Sequence, residues 1–167
     1  MRMKYLSLCA ALALVAACSS TPEHKEAAQT ASTTQTTPPS VPAKPTGPVP
    51  GSKEDFVVNV GDRVFFGYDK FDLTPEATAT LDKQAAWLKK YGQVTITVEG
   101  HADERGTREY NLALGERRAN AVKNYLTALG VDLARVQVIS YGKERPAVLG
   151  SNEAAWAQNR RGVTVIN

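Results

Sequence analysis

Cysteine is nearly missing from this chain. There are two, Cys9 and Cys18, both close to the amino terminus, so the residues beyond them must fold with neither a disulfide framework nor a thiolate metal site. Histidine is as scarce, with only His24 and His101, too few ligands for a zinc or transition-metal centre. The apolar run from Tyr5 to Ala17 falls short of the roughly 20 residues that span a bilayer. An excess of one charge is also lacking. A formal net charge of +3 in 167 residues gives no electrostatic footprint for nucleic acid or for a broad acidic partner. The last shortage is local: residues 19–52 hold almost no large apolar side chain and cannot bury enough surface to offset the entropy of ordering.

What is present starts with a basic Met1-Arg2-Met3-Lys4, the short apolar run, and then Val15-Ala16-Ala17-Cys18. Small residues immediately before a cysteine resemble the lipobox of bacterial lipoprotein signals, which makes residues 1–17 a signal peptide and Cys18 the lipidated amino terminus. The alternative is an ordinary secretory signal that happens to carry a cysteine. Loss of residues 1–17 removes Arg2 and Lys4 and no acid, taking the formal charge from +3 to +1. One acyl chain holds a protein to a membrane only marginally and two suffice, so a triacylated Cys18 is a stable anchor. In such lipoproteins an aspartate after the cysteine retains the protein in the inner membrane. Ser19 stands there, which implies the outer membrane with the rest of the chain facing the periplasm.

Residues 18–53 thus comprise the lipidated cysteine and a disordered tether rich in Ser, Thr and Pro. Pro42, Pro45, Pro48 and Pro50 stiffen its second half toward polyproline II. Such a leash spans about 30 Å as a coil and about 100 Å drawn out.

The folded part is expected over residues 54–167, enough for one core. Residues 56–60 and 63–66 are short strand candidates, with Gly61-Asp62 between them as a hairpin signal. Thr74-Pro75-Glu76 starts a helix, with Thr as N-cap and Pro at the first position, and Leu81, Ala85, Leu88 and Tyr91 mark its buried face up to Gly92. Val94, Ile96 and Val98 alternate with Thr95, Thr97 and Glu99 in a half-buried strand. Leu112, Gly115, Ala119, Val122, Leu126 and Leu129 then form the apolar stripe of a second helix ending at Gly130. Its start is Thr107 or Asn111, which puts Arg118 about 16 or about 10 Å along the axis. A strand over residues 136–141, a short helix over residues 153–159 capped by Asn152 and a last strand over residues 162–166 complete the order. These elements predict an α/β (α+β) two-layer sandwich, a βαβαβ core plus a final strand, with two long helices on one face of a mixed sheet.

Two charges are not explained by packing. Asp103 lies in a loop between Gly100 and Gly106, and Arg118 sits beside the apolar stripe where an aliphatic side chain would be the simple choice. A carboxylate after a strand and a guanidinium on the next helix can face each other across a small concavity. Their joint ligand would be zwitterionic, with its ammonium on Asp103 and its carboxylate bidentate on Arg118. The alternative is a structural Asp–Arg ion pair joining loop to helix.

Gly100-His101-Ala102-Asp103-Glu104-Arg105-Gly106-Thr107, Tyr110-Asn111, Leu114-Gly115-Glu116-Arg117-Arg118-Ala119 and Asn159-Arg160-Arg161 together resemble the OmpA-like peptidoglycan-binding domain over residues 54–167. The resemblance implies non-covalent binding of the meso-diaminopimelate stem peptide of peptidoglycan and no cofactor. It puts the ammonium-binding aspartate at Asp103, the carboxylate-binding arginine at Arg118, and further contacts at Tyr68, Asp69, Thr107 and Leu114. It also implies partnership with TolB and the other Tol proteins during envelope constriction, competing with the cell wall for one surface. Where the family usually has Ala or Val, this chain has Gly162.

Other readings of the same residues are weaker. A hydrolase or metal enzyme using His101, Asp103 and Glu104 lacks ligands, and nothing evident would raise a carboxylate pKa in what reads as an exposed loop. Nucleic-acid binding through Arg117, Arg118, Arg160 and Arg161 is opposed by export, near-neutral charge and the lack of interleaved aromatics. His101 reads as a loop histidine bonded to its neighbours, and Trp87 and Trp156 as core or interface aromatics.

Overall fold

The computed structural model describes residues 47–167. The expected signal peptide, Cys18 and most of the expected tether lie outside them. The described chain is already organised at Val49, whose carbonyl accepts the Ser52 amide. Ser52, at the end of the expected leash, caps a short helix, α1 (Lys53–Asp55), that runs on as a π-helical stretch, Phe56–Val60.

This overturns the strand expected over residues 56–60. The run is rich in β-branched residues, but its buried anchors, Phe56 and partly buried Val60, stand four apart, while Val57 and Val58 face solvent. That is helical spacing. Asp55 ties the segment down, accepting from the Gly51 amide at 2.8 Å, Asn59 Nδ2 at 2.8 Å and Trp87 Nε1 at 2.9 Å. The Trp87 bond above all, with those to Asn59 and Gly51, holds its carboxyl pKa down at about 2. Gly61, at φ 94°, therefore ends a helical run and does not turn a hairpin.

The remaining elements follow in the expected order: β1 (Arg63–Phe65), α2 (Pro75–Lys90), β2 (Ile96–His101), α3 (Arg108–Ala128), a 3₁₀ turn (Leu133–Arg135), β3 (Val136–Gly142), α4 (Glu153–Asn159) and β4 (Arg161–Ile166). Thr74 and Asn152 cap α2 and α4 as the sequence suggested. The sheet order is β1-β4-β2-β3, with β2 and β3 parallel and β4 antiparallel to both β1 and β2. The α/β two-layer sandwich with two long helices against a mixed sheet is thus the observed architecture. Phe56, Val64, Leu81, Leu88, Ile96, Val98, Val122, Leu126 and Val136 fill the core between the layers.

Two features bring α3 down onto the sheet. A Cβ on Gly100 would lie 1.8 Å from the Gly115 carbonyl oxygen, and one on Gly115 would lie 2.4 Å from Ser140 Oγ. Glycine at both positions is what lets helix and strand backbones touch. Gly162 is also tight: a methyl there would meet Val122 and Phe66 carbons at 3.3 and 3.4 Å. The large Phe66 ring fills the space that a larger residue would claim.

Candidate functional site

α3 begins at Thr107, whose hydroxyl accepts from the Tyr110 amide. Of the two expected starts this is the one that puts Arg118 farther along the axis. The loop before the helix folds back over it. Asn111, buried, donates to the Arg105 carbonyl at 2.8 Å and the Thr107 carbonyl at 3.1 Å. The buried side of α3 consequently runs through Asn111, Leu114, Gly115, Arg118 and Ala119, with Leu112 only half-buried. Polar Asn111 and Arg118 on that side mark where the helix faces a site and not the core.

A concavity of about 240 Å³ opens there, lined by Tyr68, Asp69, Asp103, Arg105, Gly106, Tyr110, Asn111, Leu114 and Arg118. Five of the six expected binding residues thus converge: Tyr68, Asp69, Asp103, Leu114 and Arg118. Thr107 is not among the lining residues; its hydroxyl accepts from the Tyr110 amide and caps the helix. Arg105, Tyr110 and Asn111, part of the motifs that carry the resemblance, are not among the contacts expected from the sequence. The Tyr110 hydroxyl donates to Asp69, joining α3 to the loop after β1. Asp69 is the one non-glycine residue with left-handed backbone among the described residues, at φ 54°, a conformation that Asp tolerates better than most.

Arg118 is fully buried. Its Nε donates to the Lys70 carbonyl at 2.8 Å, Nη1 to that of His101 at 2.7 Å and Nη2 to that of Gly67 at 3.1 Å. Among the described residues three of the five guanidinium donors are engaged, leaving one N–H on each terminal nitrogen, the number that a carboxylate takes in a two-pronged contact. Burial lowers its pKa to about 10, leaving it charged near neutrality.

Asp103 is only 5% exposed, not in an exposed loop. It does not pair with Arg118: its partners are Arg105, with Nη2 to Oδ2 at 2.6 Å and Nε to Oδ1 at 3.1 Å, and Arg160, with Nη1 to Oδ2 at 3.5 Å. Burial alone would raise its pKa, and the Arg105 hydrogen bonds more than offset this, leaving it lowered. The structural Asp103–Arg118 ion pair is therefore not formed. The two charges stand apart on one cavity, as separate ends of a zwitterion would need.

The other readings lose ground on geometry. His101 is not in a loop: it ends β2, 2% exposed, with neither ring nitrogen hydrogen-bonded among the described residues. Burial first, then Arg161 and Arg145, depresses its pKa to about 4, so the neutral ring forms no ion pair with Glu99, 3.5 Å away. Among the described residues no group of three His, Cys, Asp or Glu side chains could hold a metal, and Asp103 and Glu104 both have lowered pKa values, the wrong direction for a general acid. Of the four arginines considered for nucleic acid, Arg118, Arg160 and Arg161 are buried with partners inside the fold. Trp87 belongs to the core, and Trp156 flanks Arg105.

Comparison with known proteins adds to this geometry. The profile of the OmpA family matches residues 65–160. The chain is 57% identical over 118 residues to a peptidoglycan-associated lipoprotein of Brucella melitensis, covering 71% of this chain and 70% of that protein. It is 44% identical over 159 residues to a Pseudomonas aeruginosa protein of the same name, covering 95% and 93%. Among solved structures, the peptidoglycan-associated lipoprotein from Burkholderia pseudomallei is 45% identical with a TM-score of 0.62, covering 64% of this chain and 90% of that one. The carboxyl-terminal domain of Helicobacter pylori MotB, 20% identical with a TM-score of 0.59 over 64% of this chain and 84% of that one, shares the fold alone.

Proposed function

This chain belongs to the OmpA family, and from that premise we propose that it is an outer-membrane lipoprotein whose domain grips peptidoglycan non-covalently by the meso-diaminopimelate residue of the stem peptide. It is a binding protein and not an enzyme. The similarity to peptidoglycan-associated lipoproteins along 95% of its length supports a cell-envelope lipoprotein. Cys18 is its lipidated residue, and its leash runs from there to the point where the described chain becomes organised at Val49.

The observation that carries the reading is one cavity with opposite charges on its wall: Asp103 and Asp69 as carboxylates, Arg118 as a buried guanidinium. The free end of diaminopimelate presents an ammonium and a carboxylate together. Asp103 receives the first and the two remaining N–H groups of Arg118 receive the second. Tyr68 and Leu114 supply apolar wall. Thr107 sets the helix start that frames the cavity.

In mechanical terms the protein is a strap. Lipid holds one end, the domain holds the wall, and the leash bridges the gap. Each grip can be weak because tethering beside a repetitive polymer gives a high effective concentration. TolB and the other Tol proteins are the protein partners in this reading and compete for the same face.

The test titrates the full chain with a diaminopimelate-containing muropeptide and with its lysine counterpart, which lacks the second carboxylate. Losing a charge-assisted contact to Arg118 is expected to weaken binding about 10- to 100-fold. Equal affinity for the two ligands would refute the assignment.

A further inference from the structure

Arg105 stands in the middle of the site, and its position has a functional consequence. Its guanidinium makes the two hydrogen bonds to Asp103 already described, and it lies 4.1 Å from the centres of both the Tyr68 and the Trp156 rings. Asp103 is thus already occupied by a cation from its own chain. The other cation at Asp103, Arg160, is fixed by the fold. It is buried, with Nε on the Phe66 carbonyl at 3.1 Å and Nη2 on Glu153 Oε1 at 2.7 Å.

Arg105 is held more loosely. Its side chain is 30% exposed, and beyond Asp103 its guanidinium has the two ring faces and Glu153 Oε2, 4.0 Å from Nη1. Glu153, 66% exposed and already accepting from Arg160 through Oε1, has its second oxygen near Arg105, where a displaced guanidinium can settle while keeping the Trp156 face.

We propose that Arg105 is a displaceable internal counter-ion, occupying the ammonium subsite on Asp103 until a ligand ammonium takes its place and it turns toward Glu153. This rests on the reading of Asp103 as the ammonium acceptor. The ligand ammonium then replaces a contact that the free domain already has, and adds little to affinity. The carboxylate on Arg118 meets N–H groups that have no such occupant and adds its full share. Arg105 thereby sets the selectivity of the site, making it discriminate by the ligand's carboxylate more than by its ammonium.

The experiment titrates the full chain, Arg105→Gln and Asp103→Asn with the diaminopimelate-containing muropeptide and with an analogue whose free amino group is replaced by hydrogen. Thermal unfolding of each variant checks that it is folded. Arg105→Gln is expected to bind the amino-bearing ligand roughly three- to tenfold more tightly than the unsubstituted chain, the range set by a partly exposed ion pair. The gain is smaller for the deaminated ligand, which brings no ammonium to compete with Arg105. Equal or weaker binding of the amino-bearing ligand by Arg105→Gln overturns the proposal, and weaker binding identifies Arg105 as a ligand contact. If Asp103→Asn still weakens binding in that case, the failure is confined to Arg105. If the unsubstituted chain and Arg105→Gln bind neither ligand, the peptidoglycan reading fails and this proposal with it.

Discussion

Arg118 combines two duties in one side chain: it fixes three carbonyls of the surrounding loops and strand end and faces the cavity with what remains. Arg118→Ala should therefore lower stability as well as affinity, by about 3–5 kcal/mol, since it leaves buried carbonyls without donors. Arg118→Lys should recover little of this, because one ammonium cannot reproduce a planar fork that reaches three acceptors. Urea unfolding of both variants measures it. His101 makes a different prediction. The unfolded chain takes up its proton near pH 6.5 and the folded chain near 4, so stability from this residue is complete above pH 6.5 and declines as pH falls toward 4. The window from 6.5 to 5 belongs to His101, because the shifted carboxylates start from 4.5 or lower and titrate further down. His101→Leu should abolish the slope in that window, and urea midpoints at three pH values decide it. At this scale the sequence was partly legible. Asp103 and Arg118 stood out because charges interrupted an apolar pattern. Arg105 did not, because an arginine two residues from an aspartate reads as ordinary surface charge until the loop is seen to fold back.

Between α3 and the sheet the decisive contact is backbone on backbone, at Gly100 and Gly115. Gly115→Ala should lower stability by more than about 3 kcal/mol, because its methyl would lie 2.4 Å from Ser140 Oγ and 2.8 Å from the Gly100 carbonyl oxygen. Gly130→Ala meets no neighbour within 4 Å and should cost only about 1 kcal/mol, for its left-handed backbone at φ 92°. Chemical denaturation of the pair separates steric from conformational strain. The long helices and the strands were readable because their periodicities run for several turns or alternations, and Thr74 and Asn152 announced their caps. The α1 region was not, since Phe56-Val57-Val58-Asn59-Val60 has strand composition. Its helix depends on Asp55 reaching Trp87, 32 positions along the chain. The close approach at Gly100 was hidden for the same reason, since spacing marked Gly115 as part of a stripe and said nothing of what it faces.

For the whole molecule, the proposed anchor and the proposed grip are separate parts joined by a leash, which predicts that they fail separately. Cys18→Ser should release the protein from the membrane fraction while leaving it able to sediment with purified sacculi. Asp103→Asn should leave the protein in the membrane fraction and only weaken its sedimentation with sacculi, and fractionation of cells carrying each variant distinguishes them. The sheet adds a constraint of a temporal kind. Among the described residues β4 comes last of the four strands, yet it lies between β1 and β2 and is the only hydrogen-bonded neighbour of β1. A polypeptide threaded amino end first through a narrow channel would have β1 on the far side with its edge unsatisfied until β4 had followed nearly a hundred residues later. The sheet is thus completed only once β4 has arrived, whatever β2, α3 and β3 have formed before it.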